Sequence, residues 1–158
     1  MKYNITERII VMALISILLL LLLPAILKDN DEYNASKLPE STQARSVDIE
    51  LFIDALEVKE SNRDTAAIGD GGRAVGILQI WKIMVDDVNR ILGYDHYLYS
   101  DRLSRQKSRE MCKIYLHHYC EAMSWHDMAR CWNSGPTGYR KECSIGYAND
   151  VIDIMEEL

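Results

Sequence analysis

The sequence is short of most features that would place it in a large class of proteins. With 158 residues it lacks the length for a multidomain enzyme or for a nucleotide-binding α/β fold of the usual size. It lacks an excess of positive charge: 18 Lys and Arg stand against 24 Asp and Glu, a formal net of -6. Affinity for nucleic acid comes from neutralising phosphates with Lys and Arg, so nucleic acid is excluded as a partner. Only one long apolar run is present, which excludes a polytopic transporter, and 48% hydrophobic residues exclude a mainly disordered chain. There are no internal repeats. No Cys-x-x-Cys pair occurs either: Cys112, Cys120, Cys131 and Cys143 follow one another at intervals of 8, 11 and 12. That spacing is wrong for zinc even with His117, His118 and His126 nearby. No metal or other cofactor is expected.

What is present falls into unlike parts. Residues 9–27 are apolar except for Ser16 and Pro24, and a helix of that length spans about 29 Å, close to the hydrocarbon thickness of a bilayer. A cleaved signal peptide has a similar basic start and Leu-rich run. A membrane anchor is the preferred reading, because no small-x-small pair closes the strip. Lys2 and Arg8 before it and Asp29, Asp31 and Glu32 after it place residues 1–8 in the cytoplasm and the bulk of the chain outside. Residues 28–46 are polar and without period, and read as a tether reaching roughly 25 Å on average and at most about 60 Å. Residues 47–158 are enough for one domain with its own core. Four cysteines in an exported domain suggest one or two disulfides, in any of three connectivities, or thiols that are simply buried.

The domain reads as mainly helical. Residues 47–60 place Ile49, Phe52, Ile53 and Leu56 on one face. Residues 65–80 hold Gly69, Gly71, Gly72 and Gly76, too many for a helix, and suggest a short hairpin or a loop. Residues 81–92 return to helix with Gly93 as C-cap. The longest helix is expected over 104–123, with Met111, Tyr115, His118 and Tyr119 on one face. A short one follows over 126–132, broken at Gly135-Pro136. The last, over 147–158, is expected to bury Val151, Ile154, Met155 and Leu158. Of His117 and His118, one should face in and one out, with no chemistry assigned.

Glu60 ends the first apolar helix and precedes a Gly-rich segment of low charge. A carboxyl half-buried there would have its ionised form disfavoured, and could serve as a general acid near neutral pH. Alone it is one glutamate among many. Its company is Ser61, then Ala74-Val75-Gly76-Ile77-Leu78-Gln79-Ile80, then Trp132-Asn133-Ser134-Gly135-Pro136, then Tyr147.

In that order and spacing these residues resemble the soluble lytic transglycosylase domain, related to goose-type lysozyme. That family reads Glu-Ser, Gly-Leu-Met-Gln, Ala-Tyr-Asn-Ala-Gly and a late Tyr. The resemblance covers most of residues 50–155 and implies a lysozyme-like fold, helical with a small β-hairpin or loop wing beside a cleft. It implies Glu60 as acid and base, with Ser61 orienting groups around it. Gly76 would allow close approach of backbone and sugar, Gln79 would hydrogen-bond in the cleft, Asn133 and Gly135 would line its floor, and the Tyr147 hydroxyl would reach toward Glu60. Trp132 replaces the family's Tyr, keeping a stacking face while exchanging a hydroxyl for an indole N–H. Leu78 replaces its Met, a change that conserves volume.

Blander roles exist for each: a turn for Gly76, a surface amide for Gln79, core packing for Trp132 and Tyr147. Asp70 resembles a cleft aspartate of goose-type lysozymes, and equally suits a turn beside glycines. An inverting hydrolase needs a base about 6.5–9.5 Å from the acid, so Asp70 decides between chemistries. Without it, the resemblance implies cleavage between N-acetylmuramic acid and N-acetylglucosamine in peptidoglycan strands, leaving 1,6-anhydro ends. With it, a hydrolysing lysozyme results. A non-catalytic glycan-binding scaffold and a disulfide-stapled extracellular interaction domain are the alternatives outside catalysis.

Overall fold

The first helix is held by a stripe and a charge cluster. In the computed structural model, which describes the backbone of residues 40–158 and the side chains of 48–158, α1 spans Glu40–Ser61. Phe52, Ile53, Ala55 and Leu56 are wholly buried along it, the spacing a helix needs to present one apolar face. The helix begins inside the segment expected to be a tether. The expected cytoplasmic residues 1–8 and span 9–27 lie outside the described residues. Among those described, no helix is long and apolar enough to cross a membrane.

After α1 the chain reverses through Asn62 and Arg63, both with left-handed φ (53° and 66°). Strands β1 (Ile68–Gly69) and β2 (Ala74–Val75) then pair antiparallel, with Ile68 opposite Val75 and Gly69 opposite Ala74. This is the wing that the glycines announced. A second turn follows at once, closed by the Gln79 N–H donating to the Gly76 carbonyl at 3.0 Å and by a bridge between Val75 and Ile80. Gly76 has φ 81°, and a Cβ there would fall 1.8 Å from the Arg102 carbonyl oxygen. Only glycine lets the two backbones cross this closely.

Helix α2 (Lys82–Leu92) ends at Gly93, whose left-handed backbone (φ 82°) points its N–H at the Arg90 and Asn89 carbonyls. Helix α3 (Arg105–Cys120) starts on Ser104, whose hydroxyl accepts from the Lys107 N–H. It stops before the expected residue 123. His117 and His118 are both exposed, so the expected inward histidine is corrected: α3 buries Cys112 and Leu116 beside Met111 and Tyr115, a face rotated from the predicted one. Helix α4 (Trp125–Ser134) is capped by Ser124, and α5 (Ile145–Glu157) buries Ala148 and Val151. Ile154 and Met155 pack partly against the core, but Leu158 is 55% exposed and leaves it. Residues 47–158 form one compact unit, mainly α-helical with a single small hairpin among the described residues.

Cys120 and Cys131 form a disulfide between the end of α3 and α4. Cys112 is a buried thiol and Cys143 an exposed one. Cys120 and Cys131 thus follow the disulfide reading and Cys112 the buried-thiol reading, while Cys143 follows neither. Among the described residues, no three His, Cys, Asp or Glu side chains converge to hold a metal ion.

One charged side chain sits where only apolar ones were expected. Glu57 is fully buried, facing α3 from one turn before Glu60. The Arg105 Nη2 donates to its Oε2 at 2.8 Å and the Arg109 Nη1 to its Oε1 at 2.9 Å. Arg109 also reaches Asp54 at 2.6 Å and Glu50 at 2.7 Å. Burial works against the Arg109 charge, but these carboxylates hold its proton more firmly than in an ordinary arginine. Removing the Glu57 charge takes the fully buried carboxylate from between the two guanidinium groups, leaving Arg109 to Asp54 and Glu50 and Arg105 to Asp54 and solvent. Glu57→Gln is expected to destabilise the domain by about 3 kcal/mol, read as a lower urea midpoint at an unchanged slope.

Candidate active site

Glu60 stands at the end of α1 where the helix meets the wing. The Ser61 hydroxyl donates to the Ile77 carbonyl at 2.8 Å, tying the helix end to the Gly76–Gln79 turn. The Glu60 side chain is half-buried and looks into a cleft of about 830 Å³ bounded by the hairpin, α2 and the end of α4.

Two neutral donors meet on one oxygen of Glu60. The Tyr147 hydroxyl, from α5, donates to Oε1 at 2.6 Å. The Trp132 indole N–H, from α4, donates to the same Oε1 at 3.0 Å. No described residue donates to Oε2. Burial raises the carboxyl's pKa above the ordinary carboxylate value and is the largest influence. The Tyr147 and Trp132 hydrogen bonds and the Lys59 charge oppose it, and the Asp70 charge adds to it. The net direction is upward, which keeps a proton available at a pH where surface glutamates have lost theirs. Burial, then the charge and hydrogen bond of Glu60, push the Tyr147 phenol well above its ordinary range, so Tyr147 stays a donor.

The nine residues singled out from sequence divide into two groups. Glu60, Asp70, Gln79, Trp132, Asn133 and Gly135 line the cleft. Ser61, Gly76 and Tyr147 stand behind it, fixing the wing, the backbone crossing and the carboxyl. Two expected roles change. Trp132 is only 6% exposed, set edge-to-face on Tyr115, with its N–H committed to Glu60. It holds the acid and does not offer an open ring for stacking. Gln79 sends its amide to the Gly76 carbonyl at 2.8 Å and the Ala67 carbonyl at 3.2 Å, bracing the wing from within. A Cβ on Gly69 would fall 2.4 Å from the Gln79 Oε1, so a side chain there would shift the end of the bracing amide.

Asp70 is exposed on the turn between the strands, with φ 48°, and Gly71 and Gly72 follow with positive φ. It therefore combines the two readings the sequence offered: a turn aspartate that also lines the cleft and acts on Glu60 through its charge. Sequence reasoning missed Trp81, Asp86, Asp87, Arg90 and Tyr115, which complete the walls. Trp81 had a signal, an aromatic following Gln79-Ile80 at a helix start.

No protein-family model, curated protein or solved structure matches the chain. What the site can do is therefore read from its own groups: a carboxyl whose hold on its proton burial strengthens, steered by two neutral donors, on the wall of a cleft of about 830 Å³.

A raised carboxyl pKa carries a definite sign in stability. The folded state holds the Glu60 proton over a window, starting near pH 4.5, in which the unfolded chain has released it. Stability then falls as pH rises through that window. Glu60→Gln is expected to remove this slope and to raise the melting temperature at pH 7 relative to the wild type. Tyr147→Phe, which removes a bond to the charged form, is expected to move the Glu60 titration further up, as seen by carboxyl-carbon NMR.

Proposed function

We propose that the domain cleaves peptidoglycan strands between N-acetylmuramic acid and N-acetylglucosamine, with Glu60 as acid and then base. The observation that carries this reading is the asymmetry of Glu60: its Oε1 takes both donors while Oε2 has none from the described residues, on a carboxyl whose pKa burial raises. Oε2 is then the oxygen that gives a proton to the glycosidic oxygen. The substrate's N-acetyl group stabilises the developing cation, and Glu60 next takes the proton of the sugar's C6 hydroxyl, which closes a 1,6-anhydro ring. Tyr147 and Trp132 steady the carboxylate between the two steps.

The resemblance to the soluble lytic transglycosylase domain supports the same reading, as does the helical domain with a hairpin wing beside the cleft. The Cys120–Cys131 disulfide suits an extracytoplasmic compartment, consistent with residues 9–27 as a membrane anchor and with action close to that membrane. A hydrolysing lysozyme is the second reading. It is favoured by Asp70, whose charge acts on Glu60 and which lines the same cleft.

The experiment is mass spectrometry of purified cell wall digested by the full-length protein. Anhydro-muropeptide ends are expected, and reducing ends alone would assign the hydrolase. Glu60→Gln is expected to lower fragment release by about 10²–10⁴-fold, the usual worth of a general acid. Retained wall clearing by that variant sinks the proposal. Asp70→Asn is expected to stay within about tenfold of wild type if the anhydro product forms, and to fall by about 10² or more if Asp70 is the base.

A further inference from the structure

The cleft also carries an aromatic ring that the acid site does not use. Trp81 lies just before the first residue of α2, lines the cleft shared with Glu60, and is 37% exposed. Trp132, the other cleft indole, is closed into the core, so Trp81 is the indole that presents surface to a ligand. The Arg73 guanidinium sits over its ring, 4.6 Å from the centroid. The Arg73 Nε donates to the Asp70 carbonyl at 3.1 Å, and among the described residues no carboxylate pairs with this cation. A cation over an indole is an attractive contact in itself. It also leaves the outer N–H groups of Arg73 available.

The backbones that carry this pair are held together, although both side chains are exposed. Arg102 is 6% exposed. Its Nη1 donates to the Arg73 carbonyl at 3.2 Å and to the Ile80 carbonyl at 3.1 Å, and its Nε to the Tyr99 carbonyl at 2.8 Å. A buried guanidinium satisfied by carbonyls alone is an expensive arrangement. Its geometric effect is to clamp the backbone of Arg73 to the residue before Trp81. The Val75–Ile80 bridge holds the same two segments from the strand side.

Charge gives the position its selectivity. Asp70, Asp86 and Asp87 share the cleft walls with Glu60, and Arg90 is committed to Asp87 and Tyr119. Arg73 does not line the cleft itself but borders it over the Trp81 ring, so an anionic group carried on a sugar at Trp81 meets a cation there that no described carboxylate neutralises.

We propose that Trp81 and Arg73 form a second saccharide-holding position, where a sugar ring packs on the indole and the guanidinium binds a carboxylate carried by that sugar. The carboxylate comes from the lactyl group or from the peptide attached to it. This rests on the peptidoglycan reading and extends it from the bond that is cut to the strands that are held.

Binding to the full-length Glu60→Gln protein, which does not consume its ligand, tests the assignment with three probes. One is a neutral N-acetylglucosamine hexamer, one is glycan strand stripped of peptide so that lactyl carboxylates are free, and one is glycan strand with peptides intact. Trp81→Ala is expected to weaken all three about tenfold, and Trp81→Tyr to recover most of the loss. Arg73→Gln is expected to leave the hexamer unchanged and to weaken at least one anionic strand about fivefold, an effect that fades in high salt. Loss confined to the stripped strand identifies the lactyl carboxylate, and loss confined to the peptide-bearing strand identifies a peptide carboxylate. Unchanged affinities in Trp81→Ala, or equal losses for hexamer and anionic strands in Arg73→Gln, overturn the assignment while wall cleavage by the wild type stands. A Glu60→Gln protein that binds none of the probes, together with a wild type that releases no fragments, overturns both proposals.

Discussion

One turn of α1 separates two carboxyl groups, and the protein treats them in opposite ways. Glu57 is fully buried and receives two guanidinium groups from α3. Glu60 receives a phenol and an indole, both uncharged, from α5 and α4. A carboxyl whose pKa is to stay raised cannot sit beside an arginine, because the cation would favour loss of the proton. The arginine cluster therefore has to stop at Glu57. On either side of that boundary the partners differ: α3 holds Glu50, Asp54 and Glu57 through its basic residues, while α4 runs from Trp125 on Phe52 to Trp132 on Glu60 and α5 adds Tyr147.

The wing is an unusually small structure for the constraints it carries. Two strands of two residues each supply little pairing energy. The hairpin is instead pinned from three sides, by Ser61 on the Ile77 carbonyl, by the Gln79 amide on Gly76 and Ala67, and by Arg102 on Arg73 and Ile80. Each pin is a side chain holding backbone. The cleft wall is thereby made firm without a large sheet, and its outer surface is left free to present Asp70, Arg73 and Trp81.

Much of this was legible in the chain. The helical periods, the glycine-rich wing and the Gly93 cap appear in the residues taken in order, and the return of Tyr147 to Glu60 across 87 residues is what the family resemblance implied. Other features were not, for identifiable reasons. Glu57 lies on the apolar stripe of α1, but its partners sit 48 and 52 residues away on a helix whose orientation no period reveals. The inward histidine failed because the apolar residues of α3 allow two neighbouring faces, and packing chose the one with Cys112 and Leu116. For Trp132 the residues left core and cleft open, and the family position implied a stacking face; the structure puts the ring in the core. Whether an indole points its face or its N–H at a site depends on what stands behind it, here Tyr115.

The placement of Tyr147 on α5 has a consequence in time. A ribosome delivers α1 first, and Glu60 emerges with it as an ordinary solvated side chain. The indole that steers it arrives with α4, and the phenol only with α5, the last described helix. The burial that raises its pKa is completed by the same docking. A chain still being made, or cut before residue 145, thus carries Glu60 without its phenol partner, and the environment that raises its proton affinity is complete only in a finished fold.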